Sequence, residues 1–106
     1  MTGALVVFCT CASESEALQL AKASVEARLA ACVNVLPGVR SLYRWQEKIE
    51  TADEVLLVLK TTAETFPALR DHIAALHSYD TPEIVALPVV DGAPKYLAWL
   101  SAQTAK

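Results

Sequence analysis

Glycine is scarce. There are three in 106 residues, none in the spacing of a phosphate-cradling loop, so neither a dinucleotide fingerprint nor a P-loop is present. Lysine and arginine form no cluster, and 12 acidic against 9 basic residues leave a net charge of −3. That balance argues against nucleic acid as a partner, because phosphate binding needs a basic face. No apolar run reaches the roughly eighteen residues of a membrane helix, so no membrane partner is expected. The first five residues lead into an apolar stretch without a basic segment or a cleavage pattern, so a cytoplasmic protein without a leader is expected. Cysteine occurs three times, as Cys9, Cys11 and Cys32. An odd count without secretory features predicts free thiols in a reducing compartment. Neither CxxC nor HxxxH spacing occurs, which argues against a structural zinc site.

What is present begins with a long ribbon. Val33 to Gln46 and Ile49 to Lys60 are rich in Val, Leu, Ile and aromatics, and both read as strands around a turn at Gln46-Glu47-Lys48. Strands usually run five or six residues, whereas arms of about a dozen reach roughly 40 Å. One small domain can hardly cover such a ribbon, and a long bare edge invites pairing with other chains, so an oligomer is expected. Pro37-Gly38 predicts a bulge in the first arm, and Glu47 sits where glycine would be easier if φ is positive.

The apolar run Ala4 to Thr10 predicts a strand covered on both faces. Ser13 and Glu16 form a capping box, with Leu18, Ala21, Val25 and Leu29 at helical spacing behind it, so a helix is expected from Glu14 to Ala31. Phe66, Leu69, Ile73 and Leu76 mark a second helix ending near His77, with Pro67 in its first turn. Glu83 to Val89 reads as a fourth strand. Pro94 opens a last helix through Ala102 with a Tyr96, Leu97 and Leu100 stripe, and Trp99 is expected at an oligomer seam. The order β-α-β-β-α-β-α over residues 1–106 predicts a single α+β domain. It nests as a ferredoxin-like sandwich of strand order 4-1-3-2 with a C-terminal helix.

The segments VVFCT, AACVNVLPGVRSLYRWQEKIE, EVLLVLKTT, LHSYDTPEIVALPV and YLAWL occur in the order found in divalent-cation tolerance proteins, and the chain resembles that CutA family from about Leu5 to Leu100. The resemblance implies a ferredoxin-like subunit in a tight homotrimer, similar in architecture to the PII signalling proteins, with the long arms pairing across subunits. It also implies copper binding and tolerance of divalent metals, and for animal members the anchoring of acetylcholinesterase. No reaction is attached to the family, and an enzyme is not expected.

In a 4-1-3-2 sheet the C-terminal end of the first strand lies beside the approach to the fourth. Cys9 and Cys11 are thereby brought near His77, Tyr79 and Glu83. Thiolate and imidazole suit copper or another soft divalent metal, so Cys9 and His77 are candidate metal ligands, with Glu83 or Cys11 as a third. The resemblance supports Cys9 and His77. A family member with proposed copper ligands also has a histidine where this chain has Leu76. The plain alternatives are a buried core thiol for Cys9 and a helix C-terminal cation for His77. A second constellation, Tyr43, Trp45, Lys60, Tyr79 and Glu83, lies on or beside sheet strands. Trp45, Lys60 and Tyr79 are candidates for holding a small anionic ligand or a protein partner between subunits, in the manner of a PII-like sensor or scaffold. Its plain alternative is a set of contacts that fix the trimer. His72 is expected on a solvated helix face.

Overall fold

The computed structural model describes residues 2–105. The elements are β1 (Ala4–Cys11), α1 (Glu14–Glu26), β2 (Cys32–Trp45), β3 (Lys48–Thr62), α2 (Phe66–Leu76), β4 (Val85–Pro88) and α3 (Pro94–Thr104). The sheet is antiparallel throughout and ordered β2-β3-β1-β4, the ferredoxin-like order the sequence predicts.

Strand alternation sorts the residues onto two faces. Val7, Cys9, Leu57 and Leu59 turn toward the helices and are fully buried with Leu69 and Ile73 of α2. The opposite face carries Val6, Phe8, Leu36, Leu56 and Val58, none of which belongs to a buried cluster, while α3 packs on this face at its Ala4 end. There Leu100 of α3 packs with Ala4 and Ala31 as a second cluster. Tyr96 and Trp99 stack on the outside of α3 at 5.6 Å between ring centroids.

The hairpin tip is a two-residue turn. Gln46 and Glu47 both have positive φ, 49° and 68°, as a type I′ turn requires. The register between β2 and β3 slips between Leu36 and Val39, and Gly38 has φ +80°, so the bulge lies at Pro37-Gly38. The longest dimension of the subunit is 44 Å, set by the length of this ribbon.

Four local expectations differ. First, α1 stops at Glu26, not Ala31. The amide of Arg28 donates to Val25 O and that of Leu29 to Ser24 O, both at 3.0 Å, with Arg28 at φ 60°. This is a Schellman motif, which turns the chain out of the helix. Leu29, Ala30 and Ala31 keep their apolar pattern because they are buried outside the helix. Second, the buried face of α1 is Ala17, Leu20, Ala21 and Ser24. Small side chains bring the helix close to the sheet, and Ser24 satisfies its hydroxyl on Leu20 O at 2.7 Å. Leu18 and Val25 are left 52% and 44% exposed, and Leu76 of α2 is also exposed. Third, β4 is four residues rather than Glu83 to Val89. It pairs with β1 only up to Phe8, and beyond that point the Thr10 carbonyl is taken by the His77 ring. Fourth, Nε2 of His72 is closed off from solvent without a partner instead of lying on a solvated face.

Candidate metal centre

Cys9 and Cys11, two residues apart on β1, point to the same helix-facing side and are fully buried. His77 is the C-cap of α2, where the chain leaves the helix in an extended conformation and brings the ring against the end of β1. One donor atom from each of Cys9, Cys11 and His77 lies within 4.8 Å of the others. Topology thus joins residues nearly seventy positions apart, as the strand order predicts. Cys11 completes the cluster. Glu83 is exposed and stands outside it, although its charge is near enough to help raise the Cys9 thiol.

The tautomer of His77 follows from its partners. Nε2 lies 2.8 Å from the Thr10 carbonyl, which can only accept, so Nε2 carries the proton. Nδ1 lies 3.0 Å from the Tyr79 amide, which can only donate, so Nδ1 presents its lone pair. The Glu16 carboxylate is 3.9 Å from Nδ1. A proton on one ring nitrogen donated to a backbone carbonyl is the usual support of a metal-ligating histidine, so two sulfurs and Nδ1 fit a soft ion. The Tyr79 amide occupies that lone pair in this conformation.

The two sulfurs are close neighbours, and the Cys9 thiol lies 3.8 Å from the Thr10 carbonyl. The neighbouring Cys11 sulfur, followed by burial, pushes the Cys9 thiol above its ordinary value, and the Cys9 sulfur holds the Cys11 thiol below its own. A thiolate is the form that binds metal.

Two carboxylates hold the segment after His77. Glu16 accepts from the Ser78 amide at 2.8 Å and the Ser78 hydroxyl at 3.0 Å. Burial raises its carboxyl, but the Ser78 bonds outweigh this and the net shift is downward. Glu54 is 8% exposed and accepts from the Tyr79 hydroxyl at 2.7 Å. Burial and this bond push the Tyr79 phenol upward. The Tyr79 ring lies 4.7 Å from that of His77. No local pattern marks Ser78 as part of this site. In the sequence Glu16 reads as a helix cap, whereas Glu54, a charge leading the apolar run VLLVL, is the kind of position that signals a buried partner.

The second constellation is not assembled within one subunit. Trp45 pairs with Lys48 at the hairpin tip, while Lys60 pairs with Cys32 at the opposite end of β3, roughly 40 Å away along the strand. The Lys60 ammonium donates to Asn34 Oδ1, and Tyr79 is engaged by Glu54. Tyr43 is exposed on the distal arm.

A ferredoxin-like α+β subunit with a partly covered sheet face, an overlong hairpin and a buried thiol–imidazole corner defines the class. Residues 5–103 match the family described as CutA1 divalent ion tolerance protein, and the chain belongs to that family. It is 52% identical over 99 residues to the divalent-cation tolerance protein CutA of Thermus thermophilus, covering 93% of this chain and 96% of that one. The solved structure of the Thermus thermophilus protein superposes with a TM-score of 0.95 at 50% identity, covering 96% of this chain and 99% of the other. The Archaeoglobus fulgidus protein, described as a periplasmic divalent cation tolerance protein, superposes at 0.93 with 38% identity, covering 96% and 99%. Protein CutA of Mus musculus is 45% identical across 92% of this chain, which spans 55% of the mouse protein's length. No helix among the described residues is long and apolar enough to cross a membrane.

Proposed function

We propose that this chain serves divalent-cation tolerance as a non-catalytic, cytoplasmic homotrimer of one-domain subunits. Each subunit holds a soft metal ion, copper above all, through Cys9, Cys11 and His77. The observation that carries this reading is the approach of two thiol sulfurs and an imidazole nitrogen to within 4.8 Å in a buried corner, a donor set that selects soft ions. The names of the relatives, which speak of divalent-cation tolerance, agree with it. A non-catalytic role is supported by His77, whose two nitrogens are committed to Thr10 and Tyr79 and leave no free base. The homotrimer is supported by the partly covered face bearing Phe8, Leu56 and Val58 and by the free outer edge of β2. Three free cysteines favour a reducing compartment.

The anion-sensor alternative draws less support, because Lys60 is already met by Asn34 and Trp45 lies at the far end of the ribbon. Isothermal titration of the reduced protein with Cu(I) tests the metal reading. Stoichiometric submicromolar binding, lost in Cys9→Ala and Cys11→Ala and weakened in His77→Ala, is expected. Binding indifferent to all three substitutions overturns it.

A further inference from the structure

We infer that Ser78-Tyr79 is a lid over the Cys9, Cys11 and His77 donor set, bolted shut by Glu16 on one side and Glu54 on the other; as a device for metal entry it rests on the metal reading above. The Tyr79 amide sits on the one lone pair that His77 has to offer, at 3.0 Å from Nδ1. That amide has to leave before the nitrogen can coordinate. It cannot leave alone. Ser78, one residue before it, is held by Glu16 through two hydrogen bonds, and the Tyr79 phenol is held by Glu54 at 2.7 Å.

Each bolting carboxylate lines a surface cleft. One, of about 540 Å³, is lined by Glu16, Leu76 and Ser78. The other, of about 630 Å³, is lined by Arg40, Glu54 and Val55. Ala12 and Ser13, directly after Cys11, line both. Open space therefore reaches the residues that follow Cys11, with Ser78 lining one cleft and Glu54, which holds the Tyr79 phenol, lining the other. Each carboxylate bond favours the closed state, so removing a bolt makes the donor set easier to reach. Substitutions near a binding site ordinarily weaken binding; here Tyr79→Phe strengthens it. A ligand's apparent affinity is reduced by the fraction of protein that is competent to bind.

Two measurements on the full chain decide this. Tyr79→Phe is expected to tighten Cu(I) binding by about tenfold or more, the equivalent of one hydrogen bond to a charged group. Glu54→Ala should tighten it similarly, and the double variant no further than either single one, because both remove the same bond. Separately, in metal-free protein carrying Cys32→Ser, the reaction of the remaining thiols with dithiodipyridine reports lid opening without any metal. Tyr79→Phe is expected to speed it about tenfold, while Arg28→Ala, which loosens the opposite end of the molecule, leaves it unchanged. Thiol rates that do not respond to Tyr79→Phe, or that respond equally to Arg28→Ala, overturn the lid. Copper binding that is indifferent to Cys9→Ala overturns the metal reading instead, and the thiol rates then decide the lid on their own.

Discussion

Glu16 and Ser78, 62 residues apart in the chain, are joined by two hydrogen bonds that converge on one carboxylate, 2.8 Å from the amide and 3.0 Å from the hydroxyl. The same carboxylate lies 3.4 Å from the Ala12 amide, while the Glu16 amide donates to the Ser13 hydroxyl at 3.1 Å. One side chain thus caps α1 and ties its first turn to the segment that follows α2.

Glu16→Ala should cost about 1–3 kcal/mol in urea unfolding, the range for hydrogen bonds to a charged acceptor. The dependence on pH follows from the direction of its shift. The folded-state carboxyl lies below the ordinary 4.5, so the carboxylate's contribution is complete above that value and is lost as pH falls through the lower folded-state value. The gap between wild type and Glu16→Ala should therefore be constant near neutrality and shrink below about pH 4.5. A gap that widens on acidification contradicts this assignment.

Arg28 ends α1 in a left-handed conformation and also reaches α3, where its guanidinium donates to Ala102 O at 2.8 Å and Ala105 O at 3.1 Å. These carbonyls belong to the last turn and end of α3, which a cation favours. Arg28→Ala should destabilise by about 1–2 kcal/mol. Hydrogen exchange should show the loss first in the final turn of α3. Arg28→Gly relieves the positive φ and should cost less than Arg28→Ala.

Two of the three positive-φ residues of the hairpin make opposite predictions. Gly38 has φ +80° with nothing within 4 Å of an added Cβ, so Gly38→Ala costs backbone energy alone, about 1 kcal/mol. Glu47 at φ 68° already bears that cost, and Glu47→Gly should raise stability by about 0.5 kcal/mol after the unfolded chain's gain in freedom. Thermal melting of both variants checks the pair of signs.

Phe8→Glu and Val58→Glu each place a charge on the partly covered sheet face, where the two residues are direct cross-strand neighbours. If that face is the trimer seam, light scattering should give a trimer mass for the wild type and a monomer mass for either variant. A monomeric wild type at micromolar concentration would sink the trimer.

Much of this fold is legible in the chain. Alternation in the long arms, the proline-glycine break, the prolines in the first turns of α2 and α3, and the order of elements lead to the sheet order without coordinates. The differences have separate physical causes. Of the expected stripe Leu18, Ala21, Val25 and Leu29, only Ala21 lies on the buried face of α1, because close packing on a sheet favours small residues such as Ala17, Ala21 and Ser24. The Arg28 stop carries no glycine to announce it. Glu83 and Cys11 were equal candidates for a third ligand, because sequence order places a loop near a strand end without fixing which side chain turns inward.

The sequence by itself determined the class of fold, the family and the neighbourhood of Cys9 and His77, because apolar periodicity and right-handed crossovers leave few ways to arrange six core elements. Only the tertiary structure decided that Cys11 joins them, that Lys60 and Trp45 stand apart, and that Glu16 and Glu54 hold the segment over His77. Such contacts depend on hydrogen-bond geometry at the ångström scale between residues distant in the chain, and no local pattern of residues encodes it.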